Sequence, residues 1–118
     1  MPHIHLQTTA DLAENANVPD LLTELAECLA TLETIDSRSI KAYHSLRSIW
    51  QMGEGAPPGF AHCEVAILTG RPLELRKKMA DSLYAILQTG FRESQATGEA
   101  GLTLELREMD RETYRKSP

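Results

Sequence analysis

The sequence is short of several residue types, and each shortage excludes a class of protein. Only two of the 118 residues are cysteines, too few for the disulfide framework of a small secreted domain. Acidic residues outnumber basic ones by 17 to 12, so the chain lacks the overall positive charge typical of nucleic-acid binding. No apolar run approaches the roughly 20 residues of a membrane-spanning helix. We therefore expect a cytoplasmic protein with neither nucleic acid nor membrane as a partner.

What remains is an ordinary globular composition, 42% hydrophobic and 25% charged. Cys28 lies in a leucine-rich helical pattern and Cys63 in a strand-like run, so both are predicted to be small core residues. His3 and His5 share one face of a predicted strand, but no nearby cysteine or carboxylate completes a metal site. We expect no metal and no cofactor.

Hydrophobic periodicity divides the first half of the chain into strand, helix and strand. The stretch "HIHLQ" alternates apolar and polar residues, which is the period of a half-buried strand. From Asn17 onward, leucines at spacings of three and four predict an amphipathic helix. The stretch "IKAYHSLRSIW" places Ile40 and Ala42 opposite Lys41 and Tyr43. It predicts a second strand, which the glycine and proline of "GEGAPPG" bring to an end.

The second half repeats this order. The stretch "FAHCEVAILT" is rich in apolar and β-branched residues and predicts a more buried strand. Pro72 suits the first turn of a helix, in which apolar residues keep helical spacing as far as Phe91, and Gly90 or Gly98 can end it. The alternating "LTLELR" predicts the fourth strand, and a charged tail follows at residues 110–118.

These elements predict a single domain, residues 1–118, made of two similar halves at about 2–58 and 59–110. A helix that joins two parallel strands packs on one face of their sheet. Two consecutive β-α-β units therefore predict an α+β fold with a four-stranded mixed sheet and both helices on one face. The other face would be left uncovered, so we expect an oligomer.

Four stretches are more specific than periodicity: "MPH" at the start, "SIKAYH" followed by "IWQM", "GFAHCEVAILTGRPLELR", and the terminal "LTLELREMD". In their order and spacing the chain resembles the tautomerase superfamily and, within it, the 5-carboxymethyl-2-hydroxymuconate isomerase family. The resemblance implies a homotrimer. It also implies that removal of Met1 exposes an N-terminal proline, which serves as acid and base in isomerising unsaturated keto or enol acids.

The resemblance assigns roles to individual positions. Pro2 matches the catalytic proline, and Arg71 matches an arginine that helps to bind the substrate carboxylate. Lys41 stands where the family usually has an arginine, so the charge is kept but the planar fork that matches a carboxylate is lost. Two further candidates for substrate binding are Tyr43, as a hydrogen-bond donor to an enolate, and Trp50, which either walls the pocket or packs in a subunit interface. No site residue is assigned to the charged tail.

Elementary acid–base chemistry agrees with a catalytic proline. Inside a chain the proline nitrogen is an amide without basicity, whereas at a free terminus it is a secondary amine that accepts a proton. Burial and the charges of Lys41 and Arg71 would lower its pKa, so that one group can take and return a proton near neutral pH. The same cations would hold an anionic substrate. Alternatively, Arg71 points to solvent and pairs with Glu74.

We therefore predict a cofactor-independent isomerase or tautomerase acting on a small anionic, unsaturated 2-hydroxy or 2-oxo acid. Two alternatives stay open. One is a hydratase or dehalogenase of the same superfamily, in which Pro2 acts during water addition. The other is a trimeric binding protein that has kept the fold and lost activity. Retention of Met1 would favour the latter, because the Pro2 nitrogen would then be an amide.

Overall fold

The computed structural model describes residues 1–117, which form four strands and three α-helices. The strands are β1 (His3–Thr9), β2 (Lys41–Arg47), β3 (Gly59–Leu68) and β4 (Ala100–Met109). The helices are α1 (Val18–Ala30), α2 (Leu73–Gly90) and α3 (Arg92–Ala96). Short 3-10 turns at Ala13–Asn17 and Ser37–Ser39 precede α1 and β2.

The strands form one mixed sheet in the order β2-β1-β3-β4. β1 runs parallel to β2, and β3 runs parallel to β4, while the two central strands are antiparallel. Each half of the chain therefore contributes a parallel pair of strands with a helix between them. The predicted α+β class, with a four-stranded mixed sheet, is confirmed.

The core lies on the face of the sheet that α1 and α2 cover. Alternation along β1 buries Ile4 and Leu6 completely, and alternation along β3 does the same for Cys63 and Val65. Leucines from both helices join the same cluster, so the two helices share one face of the sheet. None of the helices within residues 1–117 combines the length and the apolar character needed to cross a membrane.

The second helical region differs in detail from the prediction. The helix starts at Leu73, and Pro72 lies just before it with an extended backbone. It ends at Gly90, after which the unpredicted α3 begins at Arg92. The Phe91 side chain between the two helices is fully buried. Gly98 follows α3 with a φ of 75°, a left-handed conformation that glycine adopts without strain.

A carboxylate connects α3 to the turn that follows β1. Glu14 accepts hydrogen bonds from the backbone nitrogen of Ser94 at 2.9 Å and from its hydroxyl at 2.5 Å. Burial alone would raise the pKa of Glu14, but these hydrogen bonds to the ionised form outweigh it, and the pKa lies below its ordinary value of 4.5.

Replacing this carboxylate is expected to lower stability in a pH-dependent way. Glu14→Gln should reduce the free energy of unfolding by about 1–2 kcal/mol at neutral pH, since charged acceptors make the stronger hydrogen bonds and this one is partly solvated. A depressed acid pKa stabilises the fold above the pKa of the unfolded state, and the contribution is lost as the pH falls through the folded value.

Urea denaturation of the wild type and Glu14→Gln across this range measures the difference, which should shrink below about pH 4.5. Glu54→Gln, at an exposed position in the loop after β2, is the matched control and should unfold like the wild type. A difference that stays constant down to low pH would contradict the assignment.

Candidate functional site

At one end of the sheet, two strands start and the other two end. β1 and β2 begin there because they are parallel, and β3 and β4 end there because both run in the opposite direction. His3 pairs with Lys41 on one side and with Ala66 on the other, and Ala66 pairs with Arg107. We call this end of the sheet, with residues 1–3, 41, 68–71 and 109–117, the Pro2 edge.

Pro2 lies fully buried immediately before β1. Its carbonyl accepts a hydrogen bond from the backbone nitrogen of Lys41 at 3.1 Å, which extends the pairing of β1 with β2 by one step. A proline is tolerated at the beginning of a strand, where its missing N–H is not needed for the ladder. With Met1 in place the Pro2 nitrogen is an amide, and the terminal amine lies one residue ahead.

The terminal amine lies among positive charges. Its pKa is lowered from the ordinary value of 8.0, first by partial burial and then by the charges of Arg71, Lys116, Lys41 and Arg111. A chain with a net charge of −5 thus directs four cations at its N-terminus. Both effects disfavour the protonated amine, so an amine at this place is suited to act as a base and its surroundings are suited to an anion.

Arg71 is held by Thr34, in the loop after α1, and by Leu68, the last residue of β3. Its Nε donates to the hydroxyl of Thr34 at 3.0 Å, its Nη2 to the carbonyl of the same residue at 3.0 Å, and its Nη1 to the carbonyl of Leu68 at 3.2 Å. The alternative pairing with Glu74 is not seen, since that carboxylate lies 3.8 Å from Lys77. The guanidinium is therefore fixed in orientation beside the N-terminus.

Lys41 is exposed and lies beside a cleft of about 470 Å³. Its Nζ donates to the carbonyl of Ser39 at 3.5 Å. The acidic residue of the cleft, Asp36, has a lowered pKa because Arg38 donates hydrogen bonds to it from its side chain and its backbone. The cleft is lined by Met1, Asp36, Arg38, Ser39, Lys41, Lys116 and Ser117.

The C-terminal tail returns to the Pro2 edge, which the sequence analysis missed. The hydroxyl of Tyr114 lies 3.0 Å from Nε2 of His3, and the two rings pack edge to face. Arg111 Nε donates to the carbonyl of Thr69 at 2.7 Å, and Lys116 Nζ lies 3.6 Å from the sulfur of Met1. The only local signal for this contact is an aromatic residue within an otherwise polar tail.

His3 also lies close to Lys41 and the N-terminus. Its pKa is lowered, first by partial burial and then by the charges of Lys41 and the N-terminus, so its imidazole is neutral at neutral pH. A neutral imidazole both donates and accepts hydrogen bonds, which suits its contact with the Tyr114 hydroxyl.

Two predicted site residues lie apart from Pro2 within the chain. Tyr43 is 46% exposed on the open face of the sheet, where its ring stacks on His5 at 4.7 Å. Trp50 follows the far end of β2 and donates from Nε1 to the carbonyl of Pro58 at 2.8 Å. Because the seven residues of β2 span about 20 Å, this indole lies at the opposite end of the sheet. The structure therefore brings together Pro2, Arg71 and Lys41 only.

The histidines of the open face have ordinary hydrogen-bond partners. His62 Nδ1 lies 2.6 Å from the hydroxyl of Thr103, and His5 Nε2 lies 2.7 Å from that of Ser45. Among residues 1–117, no group of three or more histidine, cysteine or acidic side chains is arranged to hold a metal ion.

The family model of 5-carboxymethyl-2-hydroxymuconate isomerase matches residues 2–118. The chain belongs to that family, and it is an isomerase.

Relatives of the chain agree with this assignment. It is 24% identical over 110 residues to the 5-carboxymethyl-2-hydroxymuconate Delta-isomerase of Escherichia coli, covering 92% of this chain and 87% of that protein. It also superposes on the 5-carboxymethyl-2-hydroxymuconate isomerase of Deinococcus radiodurans R1 with a TM-score of 0.90 and 28% identity, covering 98% of this chain and 88% of the other. A more distant structure, a fused 4-OT described as a symmetric trimer, shares the fold at 16% identity and a TM-score of 0.66, with 95% and 91% coverage.

Proposed function

We propose that this isomerase moves a proton within a small unsaturated 2-hydroxy or 2-oxo acid, with the Pro2 nitrogen as base and acid once Met1 has been removed. The observation that supports this most directly is the partly buried terminal amine beside four cations. The named Escherichia coli relative supports 5-carboxymethyl-2-hydroxymuconate, or an acid of the same class, as the substrate.

The proposed reaction needs one group that both removes and returns a proton. The neutral Pro2 amine takes a proton from the enol hydroxyl, or from the acidic carbon beside the carbonyl, and the resulting ammonium returns it to the conjugated carbon. The substrate loses and regains one proton, so no oxidant or reductant is required. Arg71 and Lys41 hold the carboxylate and stabilise the negative charge that develops on the enolate oxygen.

We further propose that the protein is a homotrimer. The sheet face opposite the helices is uncovered in the single chain, and exposed apolar side chains remain on and after the edge strand β2: Leu46 is 54% exposed and Ile49 is 93% exposed. The trimer described for the distant fused 4-OT supports this number of copies. In such an assembly a second copy would supply Trp50 and Tyr43 to the Pro2 edge. The cytoplasmic location stays a prediction.

The alternatives have less support. Hydration would require a carboxylate that activates water near Pro2, and the acid that lines the cleft, Asp36, is engaged by Arg38. Loss of activity is disfavoured by membership in an isomerase family over residues 2–118.

The mass of the native protein, measured together with ultraviolet ketonisation of 2-hydroxymuconate, tests the proposal. We expect a mass that lacks Met1 and measurable turnover without added cofactor. A native protein that retains Met1 and is nevertheless active would contradict the role of Pro2, and a processed protein that turns over no enol acid would contradict the substrate class.

The pH profile should respond to the charge of Arg71. A base must be unprotonated, so kcat/KM should rise with pH through the pKa of the terminal amine. Because the Arg71 charge lowers the pKa of an amine at this place, Arg71→Gln should raise that pKa and move the acidic limb to higher pH. Steady-state kinetics across pH would measure the shift.

Arg92→Gln is a matched control, because it removes the same positive charge at the other end of the sheet. Arg92 begins α3, just before β4 starts, and it is not among the cations that affect the terminal amine. Arg92→Gln should therefore leave the acidic limb in place. An Arg71→Gln profile that is unchanged, or that moves to lower pH, would contradict the proposed electrostatics.

A further inference from the structure

We propose that Lys116, in the C-terminal tail, is an anion-binding cation of the substrate site and that Tyr114 is the positioning residue that holds it there. The inference rests on the proposed function and adds to it the residue that binds a second carboxylate of the substrate.

The tail is attached to the Pro2 edge at defined points. Tyr114 is half-buried between exposed neighbours, and its hydroxyl is hydrogen-bonded to His3 at 3.0 Å. The backbone nitrogen of the same tyrosine donates to the carbonyl of Asp110 at 3.1 Å, which closes a turn directly after β4. The guanidinium of Arg111 is bonded to the carbonyl of Thr69. These contacts fix the path of a segment whose composition alone would leave it in solvent.

Lys116 lies two residues beyond this anchor and lines the same cleft as Lys41. The Nζ atom of Lys116 lies 3.6 Å from the sulfur atom of Met1. Removal of Met1 takes that sulfur away, so in the mature chain the ammonium would be directed at the cleft and at the Pro2 nitrogen. Met1 therefore occupies the place where we expect a ligand group beside Lys116.

Two lysines from different elements suit a ligand with two negative groups. The guanidinium of Arg71 uses three of its five N–H groups on protein oxygens, and the other two remain for the carboxylate that it shares with Lys41. Lys116 lines the same cleft as Lys41 and can bind a second carboxylate. At about 470 Å³ the cleft lies within the size range of small-molecule sites. A small dicarboxylate can place one carboxylate near each lysine.

The test uses two inert ligands that differ by one carboxylate. Muconate and sorbate share the same six-carbon diene, but muconate is a dianion and sorbate a monoanion, and neither needs the catalytic base to bind. Calorimetry with the full-length mature protein is expected to show that Lys116→Met weakens muconate binding about tenfold or more, the scale of a charge-assisted contact, while sorbate binding is unchanged.

The neighbouring residue provides a matched control. Arg115 lies in the same tail, and its Nη1 donates to the carbonyls of Glu112 and Tyr114. It is not among the cations that affect the terminal amine. Arg115→Gln removes the same charge one position away and should leave the affinity for both ligands unchanged.

Tyr114→Phe tests whether the hydroxyl of Tyr114 positions Lys116 or whether the ring only contributes to packing. It keeps the ring against His3 and removes only the hydroxyl, so the melting temperature should stay close to that of the wild type. Muconate affinity should nevertheless fall while sorbate affinity holds, because Lys116 loses its fixed place. With 2-hydroxymuconate as substrate, KM should rise and kcat should change little, as expected for loss of uniform binding.

Three results would overturn the proposal: unchanged muconate affinity in Lys116→Met, an equal loss of affinity for sorbate, or an equal loss in Arg115→Gln. Failure of the proposed Pro2 chemistry is distinguishable from all three. It would appear as an inactive mature enzyme that still prefers muconate through Lys116.

Discussion

A form of the protein that keeps Met1 is expected to isomerise enol acids roughly 10²–10⁴-fold more slowly than the form that begins at Pro2, which is the usual contribution of general acid–base catalysis. Behind Met1 the Pro2 nitrogen is an amide with no basicity. The amine of Met1 lies one residue further out in the cleft and leaves less room for a substrate beside Lys41 and Lys116.

Both forms can be prepared from fusion proteins that a protease cleaves either before Met1 or before Pro2. Steady-state ketonisation of 2-hydroxymuconate then compares two chains that differ by a single residue. Circular dichroism and sedimentation should be the same for both, since Pro2 is held by its carbonyl and not by its nitrogen. Pro2→Ala, once processed, retains a terminal amine and should fall between the two forms.

Equal rates for the two forms would exclude the terminal nitrogen as the base. The catalytic proton would then have to pass through another group at the Pro2 edge, of which the neutral imidazole of His3 is the nearest in sequence. A rate difference accompanied by loss of structure in the longer form would equally fail to support the amine.

The fold could be predicted because its signals are local. Alternation along β1 places Ile4 and Leu6 on the helix-covered face, and helical spacing along α1 and α2 supplies the second layer. The region around α3 could not be predicted in the same way, since five residues are too few to show a helical period. There the chain direction depends on the burial of Phe91, which is a tertiary contact.

The site was predictable only in part, for a related reason. Pro2 immediately precedes β1, Lys41 begins the parallel neighbour β2, and Arg71 follows the antiparallel strand β3, so topology alone brings their backbones to one end of the sheet. The contact between His3 and Tyr114 joins residues 111 positions apart, and a charged tail gives little sign of such docking. The far placement of Trp50 follows from the length of β2, but its role depends on how copies of the chain assemble.

The largest effect on stability is expected at Phe91. Its side chain is fully buried in the core, while its backbone links the two helices: the nitrogen donates to Leu87 and the carbonyl accepts from Gln95. Phe91→Ala keeps these backbone bonds and removes the ring. It should reduce the free energy of unfolding by about 3–5 kcal/mol, a large part of the total of roughly 5–15 kcal/mol of a typical domain.

Urea denaturation at neutral pH would measure this loss, and Phe91→Leu, which refills much of the volume, should lose clearly less. The folded fraction of Phe91→Ala should keep the kcat of the wild type, because α3 lies near the start of β4 and the Pro2 edge lies at its end. A small loss of stability would mean that neighbouring side chains collapse into the cavity. A fall in kcat without unfolding would instead mean that the packing of α2 and α3 determines the geometry at the Pro2 edge.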